Sequence, residues 1–539
     1  MRRFMLVLIA LVLAMPLGFA QNSAAFVSSD FIPPFVEGEV VVVIRRDMVD
    51  GLSKSASAEF EYRHQGALKT LGSVRDSNTT TFTVSVPSGV DMFQFIAELE
   101  SDPQVLDAEP NWVTEGQGWP NDPWFNPAFS PWTAMNTTEE SVEKTQESST
   151  RTIVLVADTG IDLAQADMAG RINTAYARNF VVEGASVQDD NGHGTGMASQ
   201  IGAIADNDLR LAGAAFYTNI EILPIKVLGA DNKGTYEDLI QGLLYASEVA
   251  EVEPSLRVVN LSLIGYGGGM AMSDALAQLG TQGIVVAVAA GNFADDNDVR
   301  PSYPGAYSRV LPNVLSVGGL TGNGLAIAGF SNFGDESVTF FAPGGGTAIY
   351  LGGVNSGTAG TSSSAAFTSA MLAIVLGRNP EYTFWQARQQ LIQTLTPREF
   401  LVGRCKTGGA LNMHDLVTQN PDLLPTDEVV ARKVSWSSKN GGTLKVTVDQ
   451  SPEALIYVIG HSLTTKIKKN GQHVLQIAGV PSPPKGQTST ITIISSLGDI
   501  EQVSFRKTGG VVSLVASNTS KGRDNDVSAF SFCAIIKGK

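Results

Sequence analysis

Histidine and cysteine are scarce in this chain of 539 residues, which carries five of the first and two of the second. The two cysteines, Cys405 and Cys533, suggest no metal site. A disulfide between them and a pair of buried thiols both stay open, because a single pair carries no spacing information. Basic residues are also in short supply: 37 Lys and Arg face 53 Asp and Glu, for a formal charge of −16. That balance argues against nucleic acid or an anionic membrane as partner, since both demand concentrated positive charge. His-Glu-x-x-His is absent, which disfavours a zinc protease. Long apolar runs are missing too, apart from one at the N-terminus.

That run, in MRRFMLVLIALVLAMPLGFA, follows Arg2 and Arg3 and ends in Pro16, Gly18 and Ala20. It is shorter than the roughly 20 residues that span a bilayer, and its flanks are those of a secretory signal peptide over residues 1–20, cleaved after Ala20. The expectation is an exported protein, extracellular or periplasmic, with no membrane attachment after cleavage. An apolar content of 43%, 17% charged residues and 55 glycines fit a compact, turn-rich globular protein. The length suggests about three or four domains.

Residues 21–115 read as a spacer and a small α+β module. EVVVVIRR and TFTVSVPS are strands, DMFQFIAELESDPQ sets Phe93, Ile96, Ala97 and Leu99 on one helix face, and VLDAEPNWV is extended. Residues 116–423 alternate short apolar strands (TIVLVAD, EILPIKVL, RVVNLSL, GIVVAVAA, NVLSVGG) with helical patterns, the signature of a covered parallel sheet in an α/β domain. EESVEKTQESST, residues 139–150, is polar and reads as a surface insertion. Residues 424–539 contain strands and turns only, with a hairpin around Asn440-Gly441-Gly442, and read as an all-β sandwich.

Only one histidine, His193, lies between Pro120 and Phe400. A serine nucleophile needs a base near neutrality and a carboxylate to orient it, and this region offers no other imidazole. Asp158 ends the strand TIVLVAD. Ser362 opens a helix of small residues, where backbone N–H groups favour developing negative charge. Ser363 and Ser364 compete with it on chemistry alone. No Gly-x-Ser-x-Gly elbow surrounds Ser362, which disfavours a nonpeptidic hydrolase. Asn292 follows a buried strand and a glycine, where its amide can donate to an oxyanion. Each of these residues, taken alone, also reads as a cap or a turn.

VADTGID, NGHGTGMAS, AAGN and GTSSSAA, in that order, resemble the subtilisin-like serine proteases (subtilases, peptidase family S8), and LPIKVLGADNKGTYEDLIQGL, VVNLSL, SYPGAY, SVGG and FFAPGG extend the likeness. The resemblance implies an α/β parallel-sheet catalytic domain acting as an endopeptidase without a cofactor. It implies that Asp158 orients His193, that His193 is base then acid, that Ser362 is the nucleophile, and that Asn292 with the Ser362 N–H forms the oxyanion hole. FIAELESDPQVLDAEPNWV resembles the family's inhibitory propeptide, which implies a zymogen, inhibited by its own propeptide and cleaved between about Val113 and Asn121.

Peptide substrates are then expected to add a strand between Gly234-Thr235-Tyr236 and Ser262-Leu263-Ile264, beside a pocket near Ala289, Gly291 and Ser302. Gly196 and Ala366 depart from the family's usual histidine and proline. Ile264 stands where glycine is usual and should narrow the P1 pocket. Asp295, Asp296 and Asp298 either attract basic P1 residues, hold a structural calcium, or form a solvated loop. Trp436 and Tyr457 are either a binding surface or sandwich core. A catalytically silent adhesion protein on the same scaffold is the alternative reading.

Overall fold

The computed structural model describes residues 35–45, 68–72, 79–103, 105–112, 119–128, 131–423, 430–438, 442–449, 456–467, 472–484, 486–495, 498–508 and 511–519. The signal segment, Val113–Gly118, Asn440-Gly441 and Cys533 therefore lie outside the described residues. The chain divides into two compact units, Met1–Gly116 and Gln117–Lys539.

The first unit is a four-stranded antiparallel sheet in the order Leu68–Gly72, Thr79–Ser85, Phe35–Arg45, Val105–Trp112. The helix Met92–Glu100 is capped by the Asp91 carboxylate and buries Phe95, Ile96 and Leu99. The sequence reading placed Phe93 and Ala97 on this face, but Ala97 is exposed. The 3,4,7 spacing that reaches the sheet runs from Met92 through Phe95 and Ile96 to Leu99, because side chains three and four apart stack along one helix face.

The second unit is built on a nine-stranded sheet. Its order is Thr396–Pro397, Gly409–Ala410, Phe340–Pro343, Val314–Leu320, Val285–Ala289, Leu256–Leu261, Thr152–Asp158, Ile220–Lys226, Arg178–Asn179, and only the Thr396–Pro397 edge is antiparallel. Every residue of Thr152–Asp158, Val285–Ala289 and Val314–Leu320 is buried, as β-branched strands covered on both faces should be. Helices His193–Gly202 and Thr361–Arg378 pack together against this sheet, and Tyr236–Val252 pairs with Met270–Thr281. The helix Thr361–Arg378 buries 16 of its 18 residues, which its Ser, Ala and Gly content permits: small side chains let the helix lie close over the strands on all sides.

Residues 139–150 lie at the surface, with seven of the twelve exposed, but they are anchored inward. Their short helices bury Ser141, Val142 and Thr145, Ser148 Oγ donates to Ile374 O at 2.9 Å, and Thr150 N donates to Gly377 O. A polar stretch is held inward here because its hydroxyls satisfy backbone groups at the end of a buried helix.

Toward the C-terminus two four-stranded antiparallel sheets face each other. One has the order Val430–Ser437, Thr443–Asp449, His473–Ala478, Leu463–Ile467; the other Ile456–Val458, Thr488–Ser495, Ile500–Thr508, Val511–Thr519. They share a core that includes Leu444, Val446, Leu475, Ile493, Val503 and Phe505. Trp436 closes the edge of this core and donates to Val480 O at 2.9 Å, so it is a structural aromatic. Ile494 and Ile500 instead join the core of the α/β portion.

Candidate active site

The strand Thr152–Asp158 delivers Asp158, fully buried, to the C-terminal edge of the sheet. Its carboxylate receives its own neighbour's Thr159 N–H at 2.7 Å and faces His193 Nδ1 at 2.8 Å and 3.0 Å from its two oxygens. His193 is the first residue of its helix. The side chain is 22% exposed, so one edge of the ring remains open to solvent. Gly194 is required because a Cβ there would run into Gly160 O; its N–H instead donates to Thr159 Oγ1 at 2.8 Å. Asp189 caps this helix start, accepting from Asn191 N, Gly192 N, Thr195 N and Thr195 Oγ1 at 2.6–3.0 Å. Burial disfavours the imidazolium, yet the Asp158 charge and hydrogen bond, helped by Asp189, outweigh it and raise the His193 pKa above its ordinary value.

Ser362 is the second residue of the helix Thr361–Arg378 and is partly exposed, whereas Ser363 and Ser364 are buried. Ser364 Oγ is spent on Pro343 O at 3.0 Å. Ser362 Oγ donates to Ser262 O at 3.2 Å rather than to His193, so the structure joins Asp158 to His193 but leaves the serine hydroxyl turned to the adjoining wall. Ser262 Oγ in turn donates to Ser362 O at 2.9 Å and accepts from Asn260 Nδ2 at 3.0 Å, which pins the helix start to a sheet strand.

Asn292 sits two residues after Ala290, in a turn that Gly291 makes possible: its φ is +116°, and a side chain there would strike Asn332. The oxygen of the Asn292 amide accepts from Thr361 N at 2.8 Å and Thr361 Oγ1 at 2.9 Å. Because Thr361 N–H can only donate, the oxygen must face it, and the amide's two N–H bonds point the other way, uncommitted. Asn332 braces the turn, donating to Asn297 Oδ1 at 2.9 Å and Ser302 Oγ at 3.1 Å while accepting from Phe293 N and Asp295 N. Lys226, buried, donates to Thr159 O, Leu228 O and Asp190, fixing the Asp158 turn. Lys226, Asn260 and Thr361 lie inside segments that carry the family likeness, but nothing local assigns them these bonds; Asp189 and Asn332 lie outside those segments.

The walls differ from the expected pair of edges. Ser262, Leu263 and Ile264 continue straight from the strand Leu256–Leu261, with Ser262 O turned to Ser362. On the other side Thr235 is extended, but no strand forms at Gly234 or Thr235. Thr235 is the N-cap of the helix that begins at Tyr236, and its N–H is already given to Asp238 at 3.1 Å. The capping box overrides a strand there, because a helix start must satisfy its own N–H groups. Ala289, Gly291 and Ser302 are buried at the base of this region. Gly196 makes room for the Tyr350 ring, and Ala366 is fully buried.

In the acidic loop Asp295 pairs with Arg300 at 3.0 Å, Asp296 accepts from Asp298 N, and Asp298 Oδ2 accepts from Glu336 N while its Oδ1 is buried without a partner. Among the described residues no group of three or more His, Cys, Asp or Glu side chains is placed to hold a metal ion. No helix among the described residues is long and apolar enough to cross a membrane. Cys405 is buried.

A carboxylate–imidazole pair, a serine at a helix N-terminus and a carboxamide donor, gathered at the C-terminal edge of a parallel sheet, define a serine hydrolase with its residues in the order Asp, His, Ser. The model of the subtilase family matches residues 149–436. The chain is 30% identical over 243 residues to subtilisin DY of Bacillus licheniformis, covering 45% of this chain and 82% of that protein. It is also 30% identical over 244 residues to the cell wall-associated protease of Bacillus subtilis (strain 168), of which the match spans only 25%. A cold adapted subtilisin-like serine proteinase of known crystal structure is 26% identical, with a TM-score of 0.42 over 50% of this chain and 90% of that one. The chain belongs to the subtilase family of subtilisin-like serine proteases.

Proposed function

We propose that this protein is an exported serine endopeptidase, made as a self-processing zymogen. The observation that carries the reading is the bond between Asp158 and His193 Nδ1 beside a serine whose helix start leaves a carboxamide donor uncommitted. In this reading a rotation of the Ser362 side chain away from Ser262 O brings its hydroxyl to His193 Nε2. His193 takes the proton as Oγ attacks the scissile carbonyl, and the imidazolium is held by Asp158. The oxygen of the tetrahedral intermediate is met by the Asn292 amide and the Ser362 N–H. His193 then returns the proton to the leaving amine, and water repeats the sequence to release the acyl group. The proposed chemistry needs no cofactor.

Extended substrate is proposed to pair chiefly with the Leu263–Ile264 edge, since Thr235 N–H is engaged. Residues 21–115, within the unit Met1–Gly116, are proposed as spacer and inhibitory propeptide, on the family resemblance of residues 95–113. Export rests on the residues 1–20 pattern and on a relative named for the cell wall. A fluorophosphonate should label Ser362 in the processed enzyme, and Ser362→Ala should abolish both casein hydrolysis and release of the N-terminal unit. Full casein hydrolysis by pure Ser362→Ala protein would sink the assignment. A processed wild-type enzyme that takes no label would favour a catalytically silent scaffold.

A further inference from the structure

We propose that the C-terminal β sandwich is a positioning element of the substrate-binding wall, acting through Tyr457 on the start of the helix Met270–Thr281. The proposal rests on the peptidase reading above and extends it to a portion of the chain that reading leaves without a role.

The wall leaves the sheet at Ser262 and runs through Ile264 and four glycines, Gly265 and Gly267 to Gly269, before entering that helix at Met270. A glycine-rich segment has no side chains to lock its own shape, so its neighbours must do so. Tyrosines supply the lock. Gly265 exchanges both backbone bonds with Tyr303 at 2.7 and 2.8 Å, and Gly267 N donates to Tyr236 Oη at 2.8 Å. Tyr307 Oη accepts from Gly269 N at 2.7 Å and donates to Gly269 O at 2.8 Å. The Tyr303 and Tyr307 rings pack at 4.9 Å.

The far end of the wall is held from the sandwich. Tyr457 Oη lies 2.6 Å from Asp274 Oδ1 and 2.7 Å from Ser273 Oγ, and Gly460 N donates to the same Asp274 oxygen at 2.8 Å. Tyr457 gives its one hydrogen to Asp274, so the Ser273 hydroxyl faces both Tyr457 Oη and, at 3.0 Å, Met270 O, and donates to one of them at a time. The sandwich therefore holds Ser273 and Asp274, in the first turns of the helix that the wall enters at Met270. Burial, then the hydrogen bond to Asp274, raise the Tyr457 pKa, so the phenol stays protonated and donating through the range where proteins are handled. Charge-assisted bonds of this kind are the stronger ones, and a carboxylate with two N–H and O–H donors from another sheet is a fixed joint.

The test uses the full chain after processing, with active sites counted by fluorophosphonate. Tyr457→Phe keeps the ring and removes the hydroxyl. The KM for extended peptide substrates should rise about five- to tenfold, the size expected from loosening one such bond, while the rate of labelling by a small fluorophosphonate stays at the wild-type value. Asp274→Ala should behave alike, and Asp274→Asn, which keeps an oxygen for Tyr457 and Gly460, should restore KM. Ile494→Val loosens the sandwich where it shares the α/β core, away from the helix start, and should lower Tm without moving KM. Amide hydrogen exchange over residues 262–269 should quicken in Tyr457→Phe and not in Ile494→Val, a readout independent of activity. A wild-type KM with unchanged exchange in Tyr457→Phe would overturn the proposal, as would KM following Tm in every variant. Absence of label on the wild-type enzyme would sink the peptidase reading instead, leaving the exchange result to decide this one.

Discussion

The helices that carry His193 and Ser362 both begin at a glycine with no cap of its own, and both borrow a cap from elsewhere in the chain. The histidine helix borrows a carboxylate, Asp189, which takes four donors and leaves nothing open. The serine helix borrows a carboxamide, Asn292, whose oxygen caps Thr361 while its N–H groups stay uncommitted. The difference is chemical. In the proposed mechanism one helix start holds an imidazole still, which a carboxylate cap serves. The other receives negative charge during reaction, which a neutral cap presenting a donor on its far side serves.

The comparison breaks most severely at the nucleophile. Ser362→Ala should cost on the order of 10⁶ in kcat, the magnitude known for subtilisin itself rather than one drawn from this geometry. Asn292→Asp is the sharper test of the two caps. It keeps an oxygen on Thr361 N–H and so should leave Tm near the wild-type value, yet it replaces the donor by a charge. We expect kcat to fall by at least the roughly 10²–10³ known for loss of the corresponding donor in subtilisin, with KM little changed. Retained activity in Asn292→Asp would show that the carboxamide is a cap and nothing more.

Asp189→Ala should do the reverse. It strands buried donors at the histidine helix and should lower stability by about 2 to 3 kcal/mol, read as a Tm shift, while fluorophosphonate labelling of the folded fraction persists. The smallest effect is electrostatic. The raised His193 pKa puts the acid limb of the kcat/KM profile above the ordinary imidazole value of 6.5, and removing the Asp189 charge should move it down. The sign for folding is opposite to that for activity. A folded-state pKa above the unfolded one contributes stability that is fully present below the unfolded value and is lost as pH rises through the folded one, just where neutral His193 becomes available as a base.

The two caps were not equally legible. Asn292 could be singled out because it follows a buried strand and a glycine in a recognisable segment. Asp189 could not, because a carboxylate three residues before a helix start looks like any loop aspartate until its four donors are in place. The five central strands read correctly because burial on both faces calls for short, largely apolar runs rather than an alternating pattern. Thr235-Tyr236 misled because an extended N-cap and an edge strand share the same local residues, and only the Asp238 side chain separates them. The choice among Ser362, Ser363 and Ser364 likewise required the helix to be seated on the sheet, which buries two of the three.

The chain order of Asp158, His193 and Ser362, the alternation of strands with helices and the change to strands alone after residue 424 are fixed by local composition and periodicity, which a sequence carries in full. What the tertiary structure decided is which polar atoms are spent and which are left over. The direction of the Asn292 amide, the pairing of Asp298 with the Glu336 N–H, and the placing of Tyr457 against Asp274 each join residues far apart in the chain. Satisfying buried donors and acceptors is a property of the whole packed interior, so it is settled only when the interior is closed.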